Sequence, residues 1–362
     1  MASFFCSTNF FLLLILLSAV PVAFIIHLET SKPATHVYEY HSTGWFRECT
    51  KWDDVNSRFL VSFMEGGFGE VPVPKDYVPG KILKEIRVVE NVGLGKNSSL
   101  GFVVDRPRNR VVVSIADVIG NLYSAVAAYD LTTWERIFLT KLSGPEDGKA
   151  VSDDVAVDPD GNAYVTDVKG SKIWKVGVDG KFLYHIINPL FTPKGWYNNL
   201  VGLNGIVHHP NGYLLVVHTF SGNLYKVEID KGDEVKLVKI IEGSLKFGDG
   251  LELLSPTKLV VAGNPSKLVE SLDDWESGSV VAKFKGATHR LVTAAMVKDG
   301  KIREAEATSS NQQKKIEEVE AQLQEPEDIV KDLREELREV QGELERVKNK
   351  NMLLVDEPDY IL

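Results

Sequence analysis

The sequence predicts an all-β protein, a six-bladed β-propeller with an incomplete sixth blade, followed by an α-helical coiled-coil tail. Three observations predict it. A phrase recurs at Ser99–Asp105, Asp153–Asn162, Asn204–Gly212 and Gly248–Leu254: a polar residue beside small ones, an apolar run, then a turn. Successive copies stand roughly 45–53 residues apart, the period of a propeller blade. Beyond Ala305 the composition shifts abruptly to Glu, Lys, Arg and Gln.

Between residues 45 and 303 the pattern is β throughout. Short runs rich in β-branched and aromatic residues begin at Arg58, Arg110, Ala163, Lys172, Tyr213, Leu224 and Lys258. Turn chemistry separates them, as in Pro159-Asp160-Gly161-Asn162, Val178-Asp179-Gly180, Pro210-Asn211-Gly212 and Ser221-Gly222-Asn223. Strand, Asp-Gly or Asn-Gly turn, strand, Gly turn, strand, linker, strand is a four-stranded antiparallel unit. Five units are complete. A sixth starts near His289 and reaches the turn at Asp299-Gly300, and the pattern then breaks off about halfway through.

The flanks read differently. Phe10 to Ile26 is apolar or small apart from Ser18, and Met1–Asn9 lacks Lys and Arg. Residues 1–26 are read as a cleaved secretory signal or an uncleaved signal anchor, which offers membrane attachment through residues 10–26. Either reading sends the chain into the secretory pathway: extracellular, vacuolar, or membrane-anchored with the propeller on the lumenal side. There Asn97-Ser98-Ser99 is a glycosylation acceptor. Residues 305–350 carry a heptad frame. Ile316, Leu323, Val330, Leu337 and Leu344 mark one core position, and Val319, Leu333, Val340 and Val347 the other, with Pro326 breaking the frame. A homodimer through this coiled coil is the expectation; the alternative is one amphipathic helix. Residues 351–362 are read as a disordered tail.

Composition narrows the partners. A formal net charge of −10 and the lack of a basic patch argue against nucleic acid. Of the 2 cysteines, Cys6 lies in the N-terminal apolar segment, which leaves Cys49 without an internal disulfide partner.

Glu48, Asp153, Asn204 and Asp249 stand at matching points, each just before the first strand of its unit. In a propeller that strand runs beside the axis. Four oxygen donors from four blades converging there suit Ca²⁺ or another divalent cation. The alternative is that these are turn residues satisfying local backbone groups.

These phrases resemble the senescence-marker-protein/gluconolactonase (calcium-dependent phosphotriesterase-like) propellers, plant-type members in particular. The resemblance covers about residues 45–301. It rests on Glu48-(x)3-Trp52-Asp53-(x)4-Arg58-Phe59-Leu60-Val61-Ser62, on Asp153–Asp167, on Leu203-Asn204-Gly205-Ile206 and on Gly248-Asp249-Gly250-Leu251. The family binds its cation through a Glu, two Asn and an Asp. Glu48, Asn204 and Asp249 match, and Asp153 stands where the other Asn is found. The resemblance implies hydrolysis of a lactone, ester or phosphoester of small-molecule size. The metal would be Lewis acid and Asp249, or secondarily Asp153, nucleophile or general base. His218 and Trp196 are candidate substrate contacts. His208 and His209 read as surface or edge residues, and Cys49 is expected to point away from Glu48 into a blade core. Two rivals stand beside this: a non-catalytic scaffold dimerised by its coiled coil, and a strictosidine-synthase-like condensing enzyme with Glu252 or Glu270 as its acid.

Overall fold

The computed structural model describes residues 38–42, 44, 46–90, 95, 97–284, 292–298 and 301–306, with backbone alone at Trp196 and at 301–306. The predicted signal segment and tail, and the coiled coil from residue 307 on, lie outside the described residues; residues 305 and 306, assigned to the coiled coil, instead end the strand Lys301–Glu306.

The described chain is all-β, with short 3₁₀ turns and no longer helix. The first blade holds Arg47–Asp53, Arg58–Phe63, Phe68–Pro72 and Ile86–Val89, and the second Ser98–Asp105, Arg110–Ala116, Ser124–Asp130 and Arg136–Ser143. The third holds Ser152–Val157, Ala163–Asp167, Lys172–Val176 and Phe182–Ile187. The fourth holds Leu203–His209, Tyr213–His218, Asn223–Glu228 and Glu234–Glu242. The fifth holds Leu251–Ser255, Lys258–Val261, Ser266–Glu270 and Ser277–Phe284. A sixth sheet has 2 strands among the described residues, Val292–Lys298 and Lys301–Glu306. Within each blade the strands pair antiparallel in chain order. The outer strands of the fourth and fifth blades also pair edge to edge, Lys239 with Ser277, so these two blades form one continuous sheet of 8 strands.

The first strands of the six sheets touch one another in sequence, and the sixth touches the first again. That closed ring of inner strands makes the arrangement a propeller around a central channel.

The core lies between blades. Phe68 of the first blade meets Phe102 of the second edge-on, with ring centroids 4.5 Å apart. Trp174 fills the seam between the second and third blades at 1% exposure. Tyr225 and Phe191 fill the next seam. Where a sheet is covered on both faces its second strand reads as an unbroken buried run, as in Arg110–Ala116, Ala163–Asp167 and Tyr213–His218. Each large side chain buried this way contributes about 2–3 kcal/mol by area. Met296 of the sixth sheet packs into a cluster with Phe59, Phe63 and Leu83, which Tyr38 and Tyr40 cover.

Candidate metal centre

A bulge in the inner strand aims the site. In the first blade Arg47 pairs with Phe63 and Thr50 with Val61, so Glu48 and Cys49 together oppose Ser62 alone. The same shift sets Leu100-Gly101 in the second blade, Asp153-Asp154 in the third and Asn204-Gly205 in the fourth. Asp249-Gly250 hold the corresponding place in the fifth, where Asp249 N–H donates to Ala262 O and Ala262 N–H to Gly250 O. An extra residue leaves an unpaired backbone group and turns side chains off the pleat. The hydroxyl opposite takes up that group: Cys49 N–H donates to Ser62 Oγ at 3.1 Å, and Asp154 N–H to Thr166 Oγ1 at 3.1 Å.

Small residues let these bulges crowd the axis. A Cβ on Gly205 would lie 2.2 Å from Asp249 O, and one on Gly101 would lie 2.4 Å from Asp154 Oδ1. The sixth sheet adds Thr293, whose hydroxyl donates to Glu48 O and whose carbonyl accepts Gly250 N–H.

Glu48, Asp153, Asn204 and Asp249 thereby line one cavity of about 10 Å³, together with Asp154, Lys51 and Thr293. That is the room one water or one ion needs. Glu48 Oε2 and Asn204 Oδ1 are both buried with no hydrogen-bond partner. Buried polar oxygens are nearly always satisfied, so two unpartnered oxygens at one cavity fit residues that would hold a cation. Among the described residues no three His, Cys, Asp or Glu side chains are gathered closely enough to form a metal-holding group, so Glu48, Asp153 and Asp249 line the cavity without meeting at one point.

The carboxylates resist sharing this space unneutralised. Burial, then the charges of Asp153, Asp249 and Asp154, raise Glu48 well above the usual carboxylate range. Burial and the Asp249 charge do the same to Asp153. Asp249 is pushed up to about 7 by burial and by Asp154, against hydrogen bonds from Asn204 and the Gly250 N–H. Asp154 is pushed up to about 6 by burial, with Lys51 opposing. A cluster that drives its own members toward protonation binds cations in competition with protons.

The other expected residues fall elsewhere. His218 is fully buried at the end of its strand, its Nδ1 accepting Ser221 N–H at 3.4 Å, and burial lowers it to about 4. It does not line the acidic cavity. Trp196 lies in the short 3₁₀ turn Trp196–Asn199 that leads into the fourth blade. Asn97 is half-buried immediately before the second blade's inner strand. His209 corrects the surface reading: it is 1% exposed, stacks on Tyr213 and bonds Pro256 O through Nε2 at 2.8 Å. Cys49 packs into the seam between the first and second blades yet also edges the cavity, because the bulge breaks strict alternation. Glu252 pairs with Lys51 at 2.6 Å inside the channel, and Glu270 pairs with Lys258 at 3.4 Å away from it.

Three participants were not singled out from sequence: Asp154, Lys51 and Thr293. Asp154 could have been found as the second residue of a bulge pair. Lys51 carried a signal too, as a lysine in an inner strand three positions after Glu48.

No family model matches the chain, and no curated protein matches it. Solved structures resemble it in shape. A protein of unknown function from Bacteroides caccae is 13% identical over 68% of this chain and 83% of its own, with a TM-score of 0.48. A catalytically inactive virginiamycin B lyase from Staphylococcus aureus with quinupristin is 10% identical over 75% and 95%, at 0.48. The RRP9 WD40 repeats are 8% identical over 68% and 66%, at 0.49. At these identities the resemblances say nothing of chemistry.

Proposed function

We propose that the chain is a divalent-cation-dependent hydrolase acting on a lactone, ester or phosphoester, with Ca²⁺ as the preferred ion. The observation that carries the reading is the pair of unpartnered buried oxygens, Glu48 Oε2 and Asn204 Oδ1, facing one ion-sized cavity with Asp153 and Asp249. The donor set is all oxygen, which suits a hard cation. Glu48, Asp153, Asn204 and Asp249 would hold it. When bound, the ion supplies Lewis-acid polarisation of the scissile carbonyl or phosphoryl group.

The chain's own residues supply the rest. Asp249 is held in place by the Asn204 amide and the Gly250 N–H, so its carboxylate presents a fixed oxygen to a substrate or to water. That suits it as nucleophile or general base, with Asp153 second. Thr293 ties the sixth sheet to the Glu48 backbone and so keeps the Glu48 bulge in register with the others. Burial raises the Cys49 thiol well above its ordinary pKa, which disfavours a thiolate nucleophile.

One observation favours a second reading, a structural ion in a non-catalytic binding module: the cavity of about 10 Å³ admits an ion and no substrate. The condensing-enzyme reading loses support, since Glu252 is committed to Lys51 and Glu270 to Lys258.

Thermal unfolding of the full chain with and without Ca²⁺, beside Asn204→Ala and Asp249→Ala, tests the site. A ligand that binds only the folded state raises the midpoint by mass action. The expected result is a Ca²⁺-dependent rise that both substitutions abolish, with Ca²⁺-dependent turnover in lactone and ester screens. A rise without turnover supports the structural ion. A cooperative transition indifferent to Ca²⁺, Mg²⁺ and Mn²⁺ overturns both.

A further inference from the structure

A cavity of about 10 Å³ holds an ion, so the rest of a substrate must lie beside it. Toward one end of the inner strands stands the Lys51–Glu252 ion pair, closed at 2.6 Å. Toward the other end lies the layer the chain crosses as it enters each inner strand. Two places before the first bulge residue of each blade stand Phe46, Ser98, Val151, Gly202 and Phe247. None of the five is ionisable, whereas the next ring carries Glu48, Asp153 and Asp249.

Backbone hydrogen bonds tie this layer together across three blades. Val168 N–H donates to Val151 O, Gly202 N–H to Val168 O, Thr219 N–H to Gly202 O and Phe247 N–H to Thr219 O, all at 2.8–3.0 Å. The side chains form one apolar surface along it. Val151 packs with Leu100 and Val168, and Met64, Val118 and Val201 pack against them. Phe220 N–H donates to Val201 O, and its ring meets Phe247 edge-on with centroids 5.7 Å apart. Phe247 is 61% exposed, and Met64, Val118, Val201 and Phe220 are half-buried, so this surface is open to solvent. A hydroxyl-rich substrate laid here would give up water for groups that cannot hydrogen-bond it. An alkyl or aryl group would gain by leaving water.

We propose that this layer binds the alkyl or aryl part of the substrate, which makes the substrate class lipophilic lactones or esters and not polyhydroxylated ones. This deepens the hydrolase reading and rests on it.

Initial rates of the Ca²⁺-loaded full chain test it, on γ-lactones and 4-nitrophenyl esters of growing alkyl length and on glucono-δ-lactone, each divided by its uncatalysed rate. The expected kcat/KM rises about fourfold per methylene over the first few carbons. It exceeds that for glucono-δ-lactone by on the order of a hundredfold. Phe247→Asn should flatten the rise and Phe247→Leu should keep it; asparagine suits the left-handed backbone of Phe247, at φ 61°. Val118→Asn serves if the asparagine variant at 247 does not fold. A series flat in chain length, a preference for glucono-δ-lactone, or an unchanged rise in the asparagine variant overturns the proposal and leaves the hydrolase reading standing. No turnover of any of these compounds overturns the hydrolase reading. Calorimetric titration with octanoate and gluconate then decides the layer by itself: octanoate binding that the asparagine variant weakens supports it, and any other result overturns it.

Discussion

Arg110 Nε lies 2.8 Å from Asp105 Oδ2 across the first turn of the second blade, and the same guanidinium reaches into the third blade. Its Nη1 donates to Val178 O and its Nη2 to Gly161 O, each at 2.7 Å. Both side chains are almost fully buried, at 4% and 2% exposure. Arg58 repeats the device one blade earlier, pairing with Asp53 and donating to Leu131 O. Removing one partner of a buried pair strands the other charge, at about 3–5 kcal/mol. Arg108 also pairs with Asp105, at 3.2 Å, so Arg110→Met leaves that carboxylate one cation and is expected to destabilise the protein by about 1–3 kcal/mol, chiefly through the two buried carbonyls that lose their donor. Arg110→Lys should recover only part of it, because one ammonium cannot reach Asp105 and two carbonyls in a fork. Urea unfolding of the two variants beside wild type measures both.

Gly205 gives a second expectation. Its missing Cβ is what lets the fourth blade's bulge touch the fifth, where Asp249 O and Leu251 N would stand 2.2 and 2.8 Å from an added carbon. Both obstacles are backbone, so the inner strand itself must shift. Gly205→Ala should lower stability by about 1–3 kcal/mol as an overpacking change. It should also weaken Ca²⁺ binding at least tenfold, since Asn204 and Asp249 move apart. Isothermal titration checks the binding, and a variant that binds Ca²⁺ like wild type would show that the close approach does not set the site.

Much of this was legible because the repeat is structural. Glu48, Asp153, Asn204 and Asp249 recur at blade spacing, and the bulge brings that one position of each blade to the axis. Leu100 shows where the pattern stops: it occupies the same bulge position in the second blade, and the ring is apolar there. Period-2 reading failed at the bulges themselves. It placed Cys49 in a blade core, where it does pack, but missed that Cys49 also edges the cavity, and it passed over Asp154, because the extra residue of a bulge breaks strict alternation. His209 was misread for another reason. Nothing local announces that a histidine before a Pro-Asn-Gly turn will find Pro256 O from the next blade and bury itself against Tyr213.

Cys49 should be chemically silent while the fold holds. It is 5% exposed, and burial raises its thiol well above the ordinary value, so little thiolate exists at neutral pH. Alkylation by iodoacetamide, followed by mass analysis of the peptide carrying residue 49, should show labelling at least a hundredfold slower in native buffer than in urea. Rapid native labelling would mean that the seam between the first and second blades opens readily.

Asp53 sets an acid limb to stability. Burial alone would raise its carboxyl. Hydrogen bonds from Asn56, Arg58 and Arg106 outweigh that and hold it down at about 2, against an ordinary 3.8. A carboxylate whose folded pKa is depressed stabilises the fold fully above its unfolded pKa. It loses that contribution as pH falls toward the folded value. The window here runs from about pH 4 down to about pH 2, and the contribution is about 2 kcal/mol above it. Asp53→Asn removes the titrating group while keeping its shape. The difference in unfolding free energy between wild type and this variant should be flat from pH 7 to 5 and shrink by about 2 kcal/mol as pH falls to 2. Other carboxylates titrate over the same range, but they do so in both proteins and cancel in the difference. A difference that stays constant down to pH 2 would mean that Arg58 and Arg106 do not hold this carboxylate in solution.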